Sequence, residues 1–298
     1  MIQPIYTFII PHYNSPELLN RCINSIPQRS DIEILVVDDN SDYDQKPQIT
    51  RSDTRVIEIE NHVKRGAGHA RNVGIEHALG KWLFFADCDD FYSVGFLDVL
   101  DRYSTSSYDV IFFNCEYVES DTMQVLKPLY ISKIIEDFDG SEKSMMPIRY
   151  MNNTPWSKMI SREFVIKYHL RYEETINGND FLFSVLLGSV VDKYIVLKDK
   201  LYVYTRNRNS LSNFKKQSNE ALLCRLLYIA KRKQLYKFLS IKGPETSFVI
   251  HFLYLMKNYG FITFLRVLRL FVTNGCLIFD ERNAYIDRIN ETKELFHH

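Results

Sequence analysis

The run Asp87-Cys88-Asp89-Asp90 closes an apolar stretch, Trp82 to Ala86, and sets carboxylates two positions apart. Hard divalent cations such as Mg²⁺ take carboxylate oxygens, usually one or two from the protein, with phosphate oxygens and water completing the shell. Carboxylates so spaced after a strand can give one side chain to a metal and another to a sugar hydroxyl. An Asp-rich turn can also cap a helix, and the motif alone fits either use. A second pair, Asp38-Asp39, closes the apolar run Ile32 to Val37. A carboxylate there can accept the imide N–H of a uracil ring while Tyr13 stacks on its face. The same text, Asp-Asn-Ser, is also good turn sequence.

Such groups need a scaffold that brings them to one edge. Residues 5–10 read as a buried strand ended by Pro11, and residues 18–26 as a helix opened by Ser15-Pro16. Strands are predicted at 32–37, 55–60 and 82–86, with a helix over 66–79. Alternation of apolar strands with helices predicts an α/β fold with a mostly parallel sheet, whose ligands sit beyond the carboxyl ends of the strands. Both acidic pairs fall at such ends. Further strands are predicted at 109–115 and 194–205, helices at 162–168 and 181–188, and helical text from about 213 onward.

The chain has 298 residues, 46% of them hydrophobic, which is ample for a large core, and its Gly and Pro numbers (11 and 9) are too low for a disordered or collagenous chain. Lys+Arg and Asp+Glu balance at 37 each, which argues against a general nucleic-acid binder. The balance hides an asymmetry: residues 1–205 carry a net charge of −9, residues 206–272 of +11, and residues 273–298 of −2. A basic segment of that kind marks either an anionic partner or a solvated helical face. The five cysteines are scattered without a Cys-x-x-Cys pair, so neither a disulfide framework nor a zinc site is expected. The first residues lack the basic and cleavage features of a signal peptide, and no long uncharged apolar run exists. A reducing cytosol is the expected setting.

Taken in order, Pro11-His12-Tyr13-Asn14, the stretch Val36 to Asp42, Asn61 and the run Gly68 to Asp90 closely resemble the nucleotide-sugar-binding half of the family-2 glycosyltransferases of GT-A fold. The resemblance is strong over about the first 100 residues and looser to about residue 212. It implies a GT-A catalytic domain over 1–212 and a basic, helix-rich region over 213–298. It further implies that Pro11, Tyr13 and Asp39 bind the donor nucleotide, with Asp38 shaping the pocket. Arg71 would lie near the base or diphosphate, and Asp87 on the ribose or donor sugar. Asp89, with Asp90, would hold Mg²⁺ or Mn²⁺ against the diphosphate. Downstream, Pro155-Trp156-Ser157-Lys158, Glu173-Glu174 and Asn177 to Phe181 resemble the acceptor half, where an acidic pair opens a helix and its Asp is the catalytic base. That Asp is Asp180 here, but the preceding acid is replaced by Asn179, which removes a like charge that would raise a carboxylate's pKa. Trp156 offers a face for a sugar ring or for core packing, Glu174 and Asn179 fall on the acceptor side, and Arg206 or Arg208 could pair with phosphate.

The implied activity is that of a metal-dependent, inverting hexosyltransferase of bacterial capsule, O-antigen or exopolysaccharide synthesis, taking a nucleotide-sugar (a UDP-sugar favoured over GDP or dTDP). The acceptor would be a hydroxyl of a glycan or a polyprenyl-diphosphate-linked glycan. Residues 213–272 would then lie on an anionic membrane, as a peripheral attachment to the inner face of the cell membrane, or pack on the catalytic domain or on a second copy in a homodimer. Two competing classes remain: a sugar nucleotidyltransferase, which would want a Gly-rich basic loop after the first strand where this chain has Pro-His-Tyr-Asn, and an inactive sugar-nucleotide-binding homologue, suggested by Asn179.

Overall fold

A computed structural model describes residues 3–49, 51–59, 66–175 and 178–206, with isolated positions 256, 260–262, 265 and 269. The elements run β1 (Tyr6–His12), α1 (Pro16–Ser25), β2 (Ile32–Asp38), β3 (Thr54–Glu58), α2 (Ala67–His77), β4 (Trp82–Phe85), β5 (Phe91–Tyr92) and α3 (Phe96–Leu100). They continue with β6 (Val110–Glu119), α4 (Tyr130–Glu136), α5 (Glu142–Met151), β7 (Lys158–Ser161), α6 (Arg162–Lys167), α7 (Phe181–Val190) and β8 (Tyr194–Arg206). The expected boundary near 212 and the basic segment 213–272 lie outside the described residues, apart from those isolated positions.

One sheet holds the strands in the order β3-β2-β1-β4-β7-β6-β8-β5. The first four are parallel; β1, β2 and β4 are apolar and buried on both faces, as parallel strands are, while β3 is the half-exposed edge. The expected mostly parallel sheet is interrupted by β7, which runs antiparallel between β4 and β6. Strand order reverses at β1, with β2 on one side and β4 on the other, so the crevice beyond their carboxyl ends is the topological switch point where α/β sheets bind ligands. His12, Asp38 and the turn after Phe85 all open into it.

Pro11 does not end β1, which continues to His12 along β2. It ends the pairing on the other side. The last rung to β4 is Ala86 N–H to the Ile9 carbonyl, and the next would need an N–H at Pro11, which proline lacks. The chain leaves the ladder there and turns through Asp87–Asp90 into the crevice. Beyond that turn, β5 and α3 are pinned by an aromatic core in which Phe8 stacks on Phe84 at 4.6 Å and Tyr92 on Phe96 at 4.4 Å. The acidic turn is therefore held at both ends. Elements α3, α4, α5, β5 and β7 go beyond the sequence expectation; most are too short to show a helical or strand period.

Helix α7 is apolar on nearly every side, and all but one of its residues are buried. It lies against α5 so closely that a Cβ on Gly188 would stand 2.0 Å from the Arg149 carbonyl oxygen. Two backbones in contact leave no flexible side chain to move aside. Gly188→Ala is expected to destabilise the protein by at least about 2 kcal/mol, read as a lower urea midpoint with an unchanged slope.

Candidate active site

At the ends of β1 and β2, two loops are tied into one rim. His12 Nε2 accepts the Ser15 N–H at 3.2 Å, so the proton sits on Nδ1, which donates to Asp38 Oδ1 at 2.7 Å. Asp38 also accepts from the Ser41 hydroxyl (2.5 Å) and the Ser41 N–H (3.1 Å). Burial alone would raise its pKa, but the bonds from His12 and Ser41 outweigh it and hold the carboxyl below its ordinary range. Asn14 closes the rim by exchanging hydrogen bonds with Asp42 at 2.7 and 2.8 Å. Between these fixed neighbours Tyr13 remains 39% exposed. Asp39 is buried and accepts the Gly66 N–H at 2.8 Å, so the start of α2 hangs on the end of β2.

The acidic turn is clamped from two directions. Arg21 of α1 and the Thr205 hydroxyl of β8 both donate to the Asp89 carbonyl. Asp90 is fully buried, and its two oxygens accept from the Tyr202 hydroxyl (2.8 Å) and the Thr205 N–H (2.7 Å). Tyr202 in turn accepts the Asp87 N–H at 3.1 Å. Asp89 is different: half-buried, its side chain takes a hydrogen bond only from its own backbone among the described residues, and burial with the nearby Asp87 pushes its pKa up to about 6.

Helix α2 carries the link between the two halves. Arg71 is 4% exposed; one guanidinium N–H donates to Asp87 Oδ1 at 2.5 Å, another to Asn179 Oδ1 at 2.8 Å, and Tyr172 lies under its face at 5.3 Å. Burial works against the charge, but Asp87 and its neighbours more than offset this, and the pKa is raised. Its Nε is buried without a hydrogen-bond partner among the described residues. Asn72 beside it exchanges two bonds with the Tyr172 backbone, at 2.9 and 3.0 Å. This approach depends on Gly68, where a Cβ would meet the Glu173 carbonyl oxygen at 2.0 Å.

The loop so held delivers Asp180 to the N-cap of α7. Its carboxylate does not cap the helix, although that is the usual task of an Asp there. Burial pushes its pKa up to about 6, against the pull of Arg71 and Lys158. Lys158 is buried, and its ammonium has three acceptors: the Asn152 carbonyl and side chain, each at 3.1 Å, and the Thr154 carbonyl at 2.5 Å. Burial draws its pKa down to about 7.

The structure thus brings Tyr13, Asp38, Asp39, Arg71, Asp87, Asp89, Asn179 and Asp180 around one crevice. Pro11 shapes it by releasing β4. Two expectations need correction. Asp90 is no metal ligand, because both its oxygens are spent inside the fold on Tyr202 and Thr205. Trp156 is 3% exposed and stacked against Tyr202 and Tyr204, so its ring packs the core and offers no sugar face. Arg206 stands at the exposed end of β8 and pairs with Glu119, with its Nε 2.7 Å from Oε2. Glu174 lies 3.0 Å from His69 Nδ1. Arg208 and Asn177, with Asn61, lie outside the described residues. Sequence reading gave no role to His12 and Lys158, although both stand inside the motifs quoted above, and none to Asn72, Tyr202 and Thr205. Lys158 draws its acceptors from only four to six residues away, whereas Asn72, Tyr202 and Thr205 act through partners 100, 112 and 115 positions distant.

Among the described residues no three His, Cys, Asp or Glu side chains gather into a metal shell. The chemistry of Asp89 nonetheless fits a divalent ion: it is a hard oxygen donor, bonded only by its own backbone among the described residues, beside the second carboxylate of Asp87. The two neighbours therefore separate by burial. Asp90→Ala leaves a buried backbone N–H without a partner and is expected to cost about 2–4 kcal/mol in urea unfolding. Asp89→Ala removes a carboxylate whose raised pKa disfavours its charge at pH 7, so its stability should stay within about 1 kcal/mol of wild type, on the stabilised side.

Comparison with known proteins agrees with this geometry. Residues 7–168 match the family description "Glycosyl transferase family 2". The uncharacterized glycosyltransferase EpsJ of Bacillus subtilis is 26% identical over 223 residues, 70% of this chain and 63% of that protein. The chain thus spans slightly less than two thirds of that relative. A Campylobacter jejuni protein named GalNAc(5)-diNAcBac-PP-undecaprenol beta-1,3-glucosyltransferase is 33% identical over 119 residues, 38% of each chain. In fold, residues 1–349 of S. aureus TarS superpose with a TM-score of 0.55 at 20% identity, covering 97% of this chain and 80% of that one. A GT-A-like sheet, a crevice at its switch point and a family match over more than half the sequence identify the chain as a member of glycosyl transferase family 2.

Proposed function

We propose that the protein is a metal-dependent, inverting glycosyltransferase that moves a sugar from a nucleotide-sugar, favouring a UDP-sugar, to a hydroxyl of a glycan or lipid-linked glycan of a bacterial surface polysaccharide. One observation carries the reading. Arg71 joins Asp87, on the expected donor side, to Asn179, whose neighbour Asp180 holds an uncommitted, half-buried carboxylate. A donor-binding acid and a candidate base thereby share one cation in one crevice. The undecaprenol-linked acceptor in the name of the Campylobacter relative supports a lipid-linked glycan, and the exposed ring of Tyr13 beside buried Asp39 suits a uracil base.

In this reading the base lies over Tyr13 and the ribose or donor sugar meets Asp87. Asp89 would hold Mg²⁺ or Mn²⁺, which when bound offsets the charge growing on the departing diphosphate. Asp180 takes the proton of the acceptor hydroxyl while that oxygen bonds to the sugar C1. The C1–O bond to phosphate breaks on the opposite face, and a single displacement inverts the anomer. Arg71 holds Asp87 in place and, with Lys158, favours the ionised form of Asp180 against burial. Asn179 fits this role: an amide accepts from Arg71 without adding a third negative charge beside Asp87 and Asp180.

Calorimetry of UDP, GDP and dTDP with Mn²⁺ and with chelator tests the donor half. Metal-dependent UDP binding that disappears in Asp89→Ala is expected, and binding of no nucleotide would refute the transferase reading. Asp180→Asn should lower turnover about 10²–10⁴-fold while leaving UDP affinity within a factor of about two. Because the base must be ionised and its pKa stands near 6, activity should fall as pH drops below about 6, losing close to tenfold per unit. A rate independent of pH between 5 and 7 would remove Asp180 from that role. Slow release of sugar from the donor without acceptor separates an enzyme from a sugar-nucleotide sensor, the alternative that Asn179 raises.

A further inference from the structure

The β6–β8 ribbon carries a row of side chains that the proposed chemistry does not use. Tyr117 pairs with Tyr204 and Glu119 with Arg206 in register, so the four stand together across two parallel strands. Tyr202, Tyr204 and Arg206, at alternate positions, share a face of β8. Burial falls steadily along that row. Tyr202 is fully buried and bonded to Asp90 of the acidic turn; Tyr204 and Tyr117 are half-buried; the Arg206 side chain is 57% exposed.

The two middle rings lie 5.3 Å apart, inclined by 33°. Trp156 stacks on Tyr204 at 5.3 Å and fixes it from the core. Tyr204 also lies within the field of Asp90, Asp87 and Asp89, which together with burial drives its pKa up, so the row starts beside the acidic turn. Neither the Tyr204 nor the Tyr117 hydroxyl has a hydrogen-bond partner among the described residues, whereas Tyr6, Tyr92 and Tyr202 each donate to one. At the outer end Arg206 and Glu119 present a charged donor and a charged acceptor side by side.

Half-buried aromatic faces with unpartnered hydroxyls, next to a charged pair, match a pyranose ring: apolar C–H groups on one face and hydroxyls around the rim. We propose that Tyr204 and Tyr117 form the stacking platform for a sugar unit of the glycan acceptor, with Glu119 and Arg206 binding its hydroxyls. The platform takes over the sugar-stacking part that buried Trp156 cannot play, and it rests on the transferase reading above for the identity of its ligand as an acceptor.

The test is saturation-transfer NMR on the full chain with a panel of methyl glycosides (glucoside, galactoside, N-acetylglucosaminide and N-acetylgalactosaminide, both anomers), in the presence of UDP and Mn²⁺. Transfer to the ring C–H protons of at least one glycoside is expected for wild type. Tyr117→Leu and Tyr204→Leu should weaken it about three- to tenfold. Tyr204→Phe, which keeps the ring, should retain it, and UDP affinity by calorimetry should hold within about twofold, which also certifies folding. Unchanged transfer in UDP-binding Leu variants, or a wild type that binds UDP and no glycoside, would overturn the platform. Ring-dependent glycoside binding by a protein that binds no nucleotide would instead uphold the platform and overturn the donor reading.

Discussion

A buried guanidinium cannot shed its charge, so the fold around Arg71 has to supply acceptors from wherever the chain can bring them. They come from the turn after β4 (Asp87), from the residue before α7 (Asn179) and from the ring of Tyr172. These segments are far apart in sequence, and each is placed by other contacts that serve the same end. Asn72 anchors the Tyr172 backbone, and Gly68 lets α2 lie against Glu173. Removing the arginine would leave two buried or half-buried carboxylates, Asp87 and Asp180, without their nearest opposing charge.

Around that cation the charges nearly balance. Arg71 and Lys158 face Asp87 and Asp180, and the amide at 179 keeps the count even where the family pattern would put an acid. The balance bears directly on a base that must be ionised yet still able to take a proton. Its pKa near 6 is a compromise between burial, which raises it, and the two cations, which pull it down.

The acidic turn shows how burial assigns different work to identical side chains. Asp90 and Asp89 are adjacent aspartates with the same chemistry in solution. One is enclosed by Tyr202 and Thr205 and ties β8 to the crevice; the other is half-open and under-bonded. The turn exists because Pro11 denies β4 its next rung and the Phe8–Phe84 and Tyr92–Phe96 stacks hold the chain that follows. A single missing N–H in β1 thus opens the space in which the carboxylates meet.

The sequence by itself determined the α/β alternation, the strands at 32–37 and 82–86 to within one residue of their observed ends, the helix beginning near Gly66 and the family resemblance through Asp90. These are local matters: apolar runs and turn residues encode elements, and the end of a parallel strand is where ligands bind. Which of two adjacent aspartates does which work was beyond its reach, because Asp89 and Asp90 differ only in what surrounds them, and whether the Trp156 ring meets a ligand or the core likewise depends on the rings packed against it. The short elements β5 and β7 escaped for the same reason, since strands of two and four residues are stabilised by their neighbours in the sheet and not by a pattern of their own. Tertiary structure alone decided that Arg71 meets Asn179 across 108 positions and Tyr202 meets Asp90 across 112, because a buried polar group takes whichever partner the packed chain brings within hydrogen-bond reach.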